Sequence, residues 1–238
     1  KEPHWLGQKA HLPSLILSPP GMYPAALPTF ENPAFLKIPD AEVGPLADVL
    51  IDNGMDPNRW FCCLHYREPG YEHRPPRFLR DLDPRPFMAL TEDIIENIGG
   101  QVVRLGHPGM TEFPRRPGYI DLAGLKDGFD THAFAVSRAR FMIGTVSGIG
   151  HIGSAFNTPT AITNNSDILA FPGCWRDHDA ALYFNIYTST GKRVSVLEQH
   201  EAGMLGNRPF LTRLRNEHGY RIMQNAPAEL GQVARRLF

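Results

Sequence analysis

The chain has 238 residues and a mass of 26.6 kDa, with 24 Lys+Arg against 25 Asp+Glu. That length is ample for a buried core, and 42% hydrophobic with 21% charged residues excludes wholesale disorder. A net charge of -1 argues against a chain built mainly for nucleic acid, and no apolar run is long enough to span a membrane. Cys62, Cys63 and Cys174 are too few and too poorly spaced for a disulfide framework or a zinc site, which fits a reducing, cytoplasmic setting. The chain begins at Lys1 without a signal pattern and reads as a trimmed piece of something longer. Lysine occurs only at Lys1, Lys9, Lys37, Lys126 and Lys192, so arginine supplies most of the positive charge. Arginine forks suit phosphate, but a GC-rich genome explains the same bias.

Residues 1–39 read as an extended, Pro-rich arm. Pro3, Pro13, Pro19, Pro20, Pro24, Pro28, Pro33 and Pro39 leave no room for an ordinary helix. Trp5, Tyr23, Phe30 and Phe35 call for a surface to lie on. From Asp40, read as an N-cap, a helix runs through Val43, Leu46, Val49 and Leu50 to Gly54. The apolar run from Trp60 to His65 is the pattern of a buried strand. Residues 71–90 read as a long Arg- and Pro-rich loop, and Thr91 as the cap of a helix ending at Gly99-Gly100.

Further along, 101–105, 119–122, 140–145 and 159–163 read as strands, and 130–139 and 147–156 as helices. Strands alternating with helices at this spacing predict βαβ units and an α/β, Rossmann-like, doubly wound parallel sheet. Residues 184–187 and 220–224 read as short extended pieces, 209–219 and 228–237 as helices. Ligands of such sheets sit at the carboxyl ends of the strands. Those ends are Tyr66–Gly70, Gly106–Gly109, Thr145–Gly150 and Asn164–Asp167, all rich in glycine and polar residues.

The strongest local motif is Gly144-Thr145-Val146-Ser147-Gly148-Ile149-Gly150-His151, a strand, a Gly/Ser/Thr turn and a helix start. Free backbone N–H groups and the helix dipole make such a turn an anion cradle. It lacks the lysine of a P-loop. An equal alternative is a tight connection that needs glycine for packing. The second motif is His65-Tyr66-Arg67-Glu68-Pro69-Gly70. Arg67 suits a diphosphate, and Glu68 suits a sugar hydroxyl or a base's role. The bland reading is a salt bridge pinning the loop, with His65 a buried, hydrogen-bonded histidine. Arg104, inside an apolar strand, needs a partner, whether protein or ligand.

These residues resemble a family of bacterial glycosyltransferases found in surface-polysaccharide and natural-product clusters, across most of residues 40–238. The matching stretches are Phe61–Tyr71, Val102–Gly106, Arg140–Thr145 with Ser147-Gly148, and Gly219–Glu229. More distantly, Gly144–Pro159 is similar to the donor-site helix of heptosyltransferases, and His65-Tyr66-Arg67 to the His-x-Arg of fucosyltransferases. The resemblance implies a GT-B architecture, with residues 40–238 as its C-terminal, nucleotide-sugar-binding domain. It implies that Arg67 meets the donor phosphate and that Ser147 to His151 cradle the diphosphate. His65, Arg104, Thr145 and Asn164 complete the expected donor-side set, and Glu68 and His73 are the in-chain candidates for the base. Transfer to a carbohydrate or natural-product acceptor needs neither metal nor cofactor in this reading, and no Asp-x-Asp occurs. The other half of such an enzyme, an N-terminal domain or partner chain, would supply the usual base. A non-catalytic nucleotide-binding module and a nucleotide-sugar epimerase are the alternatives.

Overall fold

This computed structural model describes residues 35–69, 77–125, 128–166 and 178–238. The expected arm falls almost wholly outside them. Its last residues, 35–39, have no regular secondary structure, and Leu36 N–H donates to Ala155 O at 2.8 Å.

Helix α1 (Asp40–Asp52) starts one residue earlier than expected, with Asp40 its first residue and not its N-cap. Pro39 holds the cap position with extended backbone, and Asp40 and Glu42 fall in the first turn, where their charge suits the helix dipole. β1 (Phe61–His65) is buried from end to end. The next helix is α2 (Arg85–Asp93), which runs on into a π-helical turn, Ile94–Ile98, closed by left-handed Gly99. The helix start expected at Thr91 is therefore corrected to Arg85, and the loop before it is shorter. Thr91 lies inside α2, where its hydroxyl donates to Phe87 O at 2.9 Å. Threonine can satisfy its oxygen within a helix as well as at its start, so residue type alone misplaced the boundary.

β2 (Gln101–Leu105) pairs parallel with β1, setting Leu64 against Arg104 and His65 against Leu105. β3 (Tyr119–Asp121) adds outside β2. Helix α3 (Phe129–Arg138) returns the chain to β4 (Met142–Thr145), on the other side of β1. Helix α4 (Gly148–Ala155) leads to β5 (Thr160–Asn165), and β6 (Ala180–Tyr183) closes the far edge. The order is β3-β2-β1-β4-β5-β6, all parallel, as in doubly wound dinucleotide-binding folds.

Burial on both faces explains the continuous apolar strands. Cys62, Leu64 and Val102 pack into one core with Phe87, Leu90 and Ile94 of α2 and its π turn. Phe61, Cys63, Val103 and Leu105 face the other way, against Phe134 and Val136 of α3 and Leu50 of α1. Alternate residues of one strand serve opposite faces, as the pleat requires. Cys62 and Cys63 are free thiols, and burial pushes both well above the usual range.

A second, antiparallel sheet has β7 (Asn185–Tyr187) between β8 (Arg193–Val194) and β9 (Arg221–Met223). Helices α5 (Val196–Glu201), α6 (Arg208–His218) and α7 (Pro227–Leu237) complete the chain. α7 is tied to α2 by Arg235 and Asp93, 2.7 Å apart. Among the described residues no helix is long and apolar enough to cross a membrane.

Candidate functional site

The chain builds outward from β1 to β2 and β3, then crosses back to β4. At such a reversal the connections after the two central strands leave on opposite faces, and a crevice opens between them. A pocket of ≈ 180 Å³ occupies that place. The end of β1 and the loop after it contribute His65, Tyr66, Arg67 and Glu68; the loop after β2 contributes Gly106 and His107; the cap and start of α4 contribute Ser147, Gly148 and Ile149. Pockets that enclose a whole ligand run to about 300–1,000 Å³, so this one suits part of a ligand. A wider groove of ≈ 690 Å³ shares His107 and continues over the ends of β2 and β3.

The α4 side follows directly from its sequence. Ser147 is the N-cap, and its Oγ accepts the Gly150 N–H at 3.2 Å. Its own hydroxyl proton remains for another acceptor. The two explanations for the glycines divide between them. A Cβ on Gly150 would lie 2.8 Å from Thr145 O, and one on Gly153 would lie 2.2 Å from Thr160 Oγ1, so both let α4 approach the sheet. A Cβ on Gly148 would meet nothing within 4 Å, so packing does not require this glycine. Gly148 lines the pocket, at the positive end of α4.

Across the pocket, Arg67 is 19% exposed and its Nε lies 3.8 Å from Asp81 Oδ1. The salt bridge that pins this loop is thus to Asp81. Glu68 is buried and held three times: Oε1 accepts from Tyr66 Oη at 2.6 Å, and Oε2 from Thr111 N and Oγ1 at 3.0 and 2.6 Å. His65 Nδ1 lies 3.2 Å from Leu105 O. Burial pushes the His65 pKa down to about 4, so the ring is neutral near pH 7. With Nδ1–H donating to that carbonyl, Nε2 is left as an acceptor.

Two expected donor-side residues have protein partners, and one of them, Arg104, also lines the wider groove. Arg104 is 2% exposed. It gives Nε and Nη2 to Asp121, at 3.1 and 2.7 Å, and Nη1 to Thr111 O and Tyr66 Oη, at 2.6 and 3.2 Å. It also lies over the Phe113 ring, 4.6 Å from its centroid. Arg104 thus clamps the loop after β2 and, through Tyr66 and Thr111, the carboxylate of Glu68. Asn164, in left-handed backbone at φ 51°, exchanges two hydrogen bonds with Asn225, donating N–H to its Oδ1 at 2.7 Å and accepting its N–H at 2.6 Å. That pair fastens the entry of α7 to the end of β5.

Thr145 is buried beneath the turn, with its Oγ1 unpartnered, and Gly150 faces Thr145 rather than the pocket. His73 and the His151 side chain lie outside the described residues. Tyr66, Gly106 and His107, which the sequence placed only at strand ends facing a ligand, are pocket residues too. The parallel pairing of β1 with β2 sets these two strand ends side by side.

No protein-family model and no curated protein sequence matches the chain. Among solved structures it is similar to a glycosyl transferase family 9 protein from Veillonella parvula DSM 2008, with a TM-score of 0.57 at 13% identity. It is also similar to the ADP-heptose LPS heptosyltransferase II of E. coli, with a TM-score of 0.53 at 14% identity. The chain shares their fold. In each comparison 85% of this chain aligns with 53% of the other, so it spans about half their length. The expected likeness to heptosyltransferases therefore holds at the level of fold.

Proposed function

We propose that this chain is the donor-binding half of a glycosyltransferase that takes a sugar from a nucleoside-diphosphate sugar and passes it to a carbohydrate or natural-product acceptor. The observation that carries the reading is the pocket at the strand-order reversal. It sets Arg67 across from a helix N-terminus whose first residue, Gly148, needs no glycine for packing. The fold shared with glycosyltransferase structures supports it.

In this account the diphosphate lies on the N-terminus of α4. The free N–H groups of its first turn and the Ser147 hydroxyl donate to it. Arg67 donates from the opposite wall. As the bond from the anomeric carbon to the leaving oxygen lengthens, negative charge grows on the diphosphate, and these donors bind it more strongly than the ground state. Arginine and helix dipole do the work that a divalent ion does elsewhere. The remainder of the donor extends past His107 into the wider groove.

Among the described residues, Glu68 is the carboxylate that lines this pocket. Three hydrogen bonds fix it. That arrangement favours orienting a donor hydroxyl over carrying a proton in and out. The base then comes from outside the described residues, with His73 the in-chain candidate and a second half or partner chain the other source.

The test is calorimetric titration of the chain with GDP, UDP, ADP and dTDP. Binding of at least one supports the reading. No heat with any of them at millimolar concentration overturns it.

A further inference from the structure

The groups that face the phosphates in the donor reading are all hydrogen-bond donors: the first N–H groups of α4, the Ser147 hydroxyl and the Arg67 guanidinium. His65 lines the same pocket and is of the opposite kind. The pleat puts it on the face of β1 that carries Phe61 and Cys63, the face on which Ile149 and Ile152 of α4 also pack. The register sets it opposite Leu105, the last residue of β2. Its Nδ1 lies 3.2 Å from Leu105 O. A carbonyl oxygen has no proton to give, so Nδ1 carries the proton and the neutral ring presents Nε2 as a lone pair.

Among the described residues nothing donates to that lone pair; the ring's hydrogen bond is the one at Nδ1. The residue is 5% exposed, and the pocket is the opening it borders. A proton on Nε2 would make it one more phosphate donor. Burial opposes that first, and His132 of α3, Arg67 and His107 oppose it by their charge, against the pull of the Leu105 carbonyl. A lone pair turned on a phosphate oxygen repels it. A hydroxyl next to the phosphate satisfies both kinds of wall at once.

We infer that His65 Nε2 accepts a hydrogen bond from a ligand hydroxyl beside the diphosphate, and that His65 is thereby a specificity-determining residue of the pocket. The inference rests on the donor reading and adds to it the group that is selected. A nucleoside-diphosphate sugar carries hydroxyls on both flanks of its diphosphate, on the ribose and on the transferred sugar. A site built to accept from a hydroxyl rejects the analogue that lacks it, because the buried acceptor is then left unpaired. A bare diphosphate gains nothing from His65.

The experiment is calorimetric titration of the full chain near pH 7 with pyrophosphate, with GDP, UDP, ADP and dTDP, and with GDP-mannose, UDP-glucose, ADP-glucose and dTDP-glucose. His65→Phe removes the acceptor, and His65→Gln returns an oxygen to the reach of Nε2. The expected result is that His65→Phe leaves pyrophosphate binding unchanged and weakens the hydroxyl-bearing ligand about tenfold, the loss of one hydrogen bond, and that His65→Gln recovers most of it. A loss already present with the nucleoside diphosphate assigns the hydroxyl to the ribose; a loss confined to the nucleotide sugar assigns it to the transferred sugar. Melting curves establish that the variants are folded; if His65→Phe is not, His65→Met takes its place. Unchanged affinity for every ligand in a folded variant without the acceptor, or an equal loss with pyrophosphate, overturns this inference and leaves the donor reading standing. No binding of any of these nucleotides by the wild type overturns the donor reading, and this inference with it.

Discussion

Arg104 and Asp121 meet as a two-point fork, Nε to Oδ1 at 3.1 Å and Nη2 to Oδ2 at 2.7 Å, at the pairing of β2 with β3. The arginine is buried and the carboxylate is 32% exposed, so the pair joins the core to the rim of the wider groove. Removing one partner strands a buried charge. Asp121→Ala should lower stability by about 3 kcal/mol, toward the lower end of what breaking a buried pair costs, because Asp121 keeps some solvent. Denaturant melts check the stability.

His65 and His132 give the fold a pH dependence of known sign. Burial lowers the pKa of both, that of His65 to about 4. Unfolded, each takes a proton near pH 6.5, while the folded forms resist it. The unfolded state therefore binds more protons as pH falls from about 6.5 to about 4, and stability falls across that window. For His65 the loss is on the order of 3 kcal/mol by the lower limit, and it is absent above pH 7. Stability measured between pH 7 and 4 should decline less steeply in His65→Gln than in the wild type; parallel curves would contradict this origin.

Arg67→Lys keeps a positive charge and loses the planar fork. If Arg67 binds the leaving diphosphate, turnover by the complete enzyme should fall roughly 10²–10³-fold. If it serves only to hold Asp81, the same change should lower the melting temperature and leave turnover per folded molecule nearly unchanged. Both quantities are read on one preparation.

Nucleoside diphosphate binding should survive EDTA. The donors in the proposed site are a helix N-terminus, a hydroxyl and a guanidinium, all of which act on the anion directly. Loss of binding on chelation, restored by Mg²⁺ or Mn²⁺, would contradict a metal-independent donor site.

Much of the sheet was legible because parallel strands buried on both faces read as uninterrupted apolar runs, as in Phe61–His65 and Gln101–Leu105. The α4 turn was legible for a different reason: a serine cap and closely spaced glycines mark a strand that must turn into a helix at once. β7 and β9 were legible as short extended pieces, but β6 and β8 were not, since strands of two to four residues leave too short a pattern. α5 did carry a readable signal, because Ser195 and Glu198 form a capping box. The roles of Arg104 and Asn164 were not readable. Arg104 finds Tyr66 38 residues away and Asn164 finds Asn225 61 residues away, and such partners are set by strand order alone.

The central claim is that a diphosphate rests on the first residues of α4, and Gly148 tests it most directly. Gly150→Ala serves as the packing control: its new methyl would press on Thr145 O, and overpacking of this kind costs about 1–3 kcal/mol. Gly148→Ala places a methyl in open space and should leave the ligand-free melting temperature unchanged or slightly raised. In the wild type, a nucleoside diphosphate at about a hundred times its dissociation constant should add roughly 2.7 kcal/mol. In Gly148→Ala that ligand-induced rise should largely disappear, because the methyl occupies the place where the phosphate approaches. An undiminished rise in a normally folded Gly148→Ala would contradict the account.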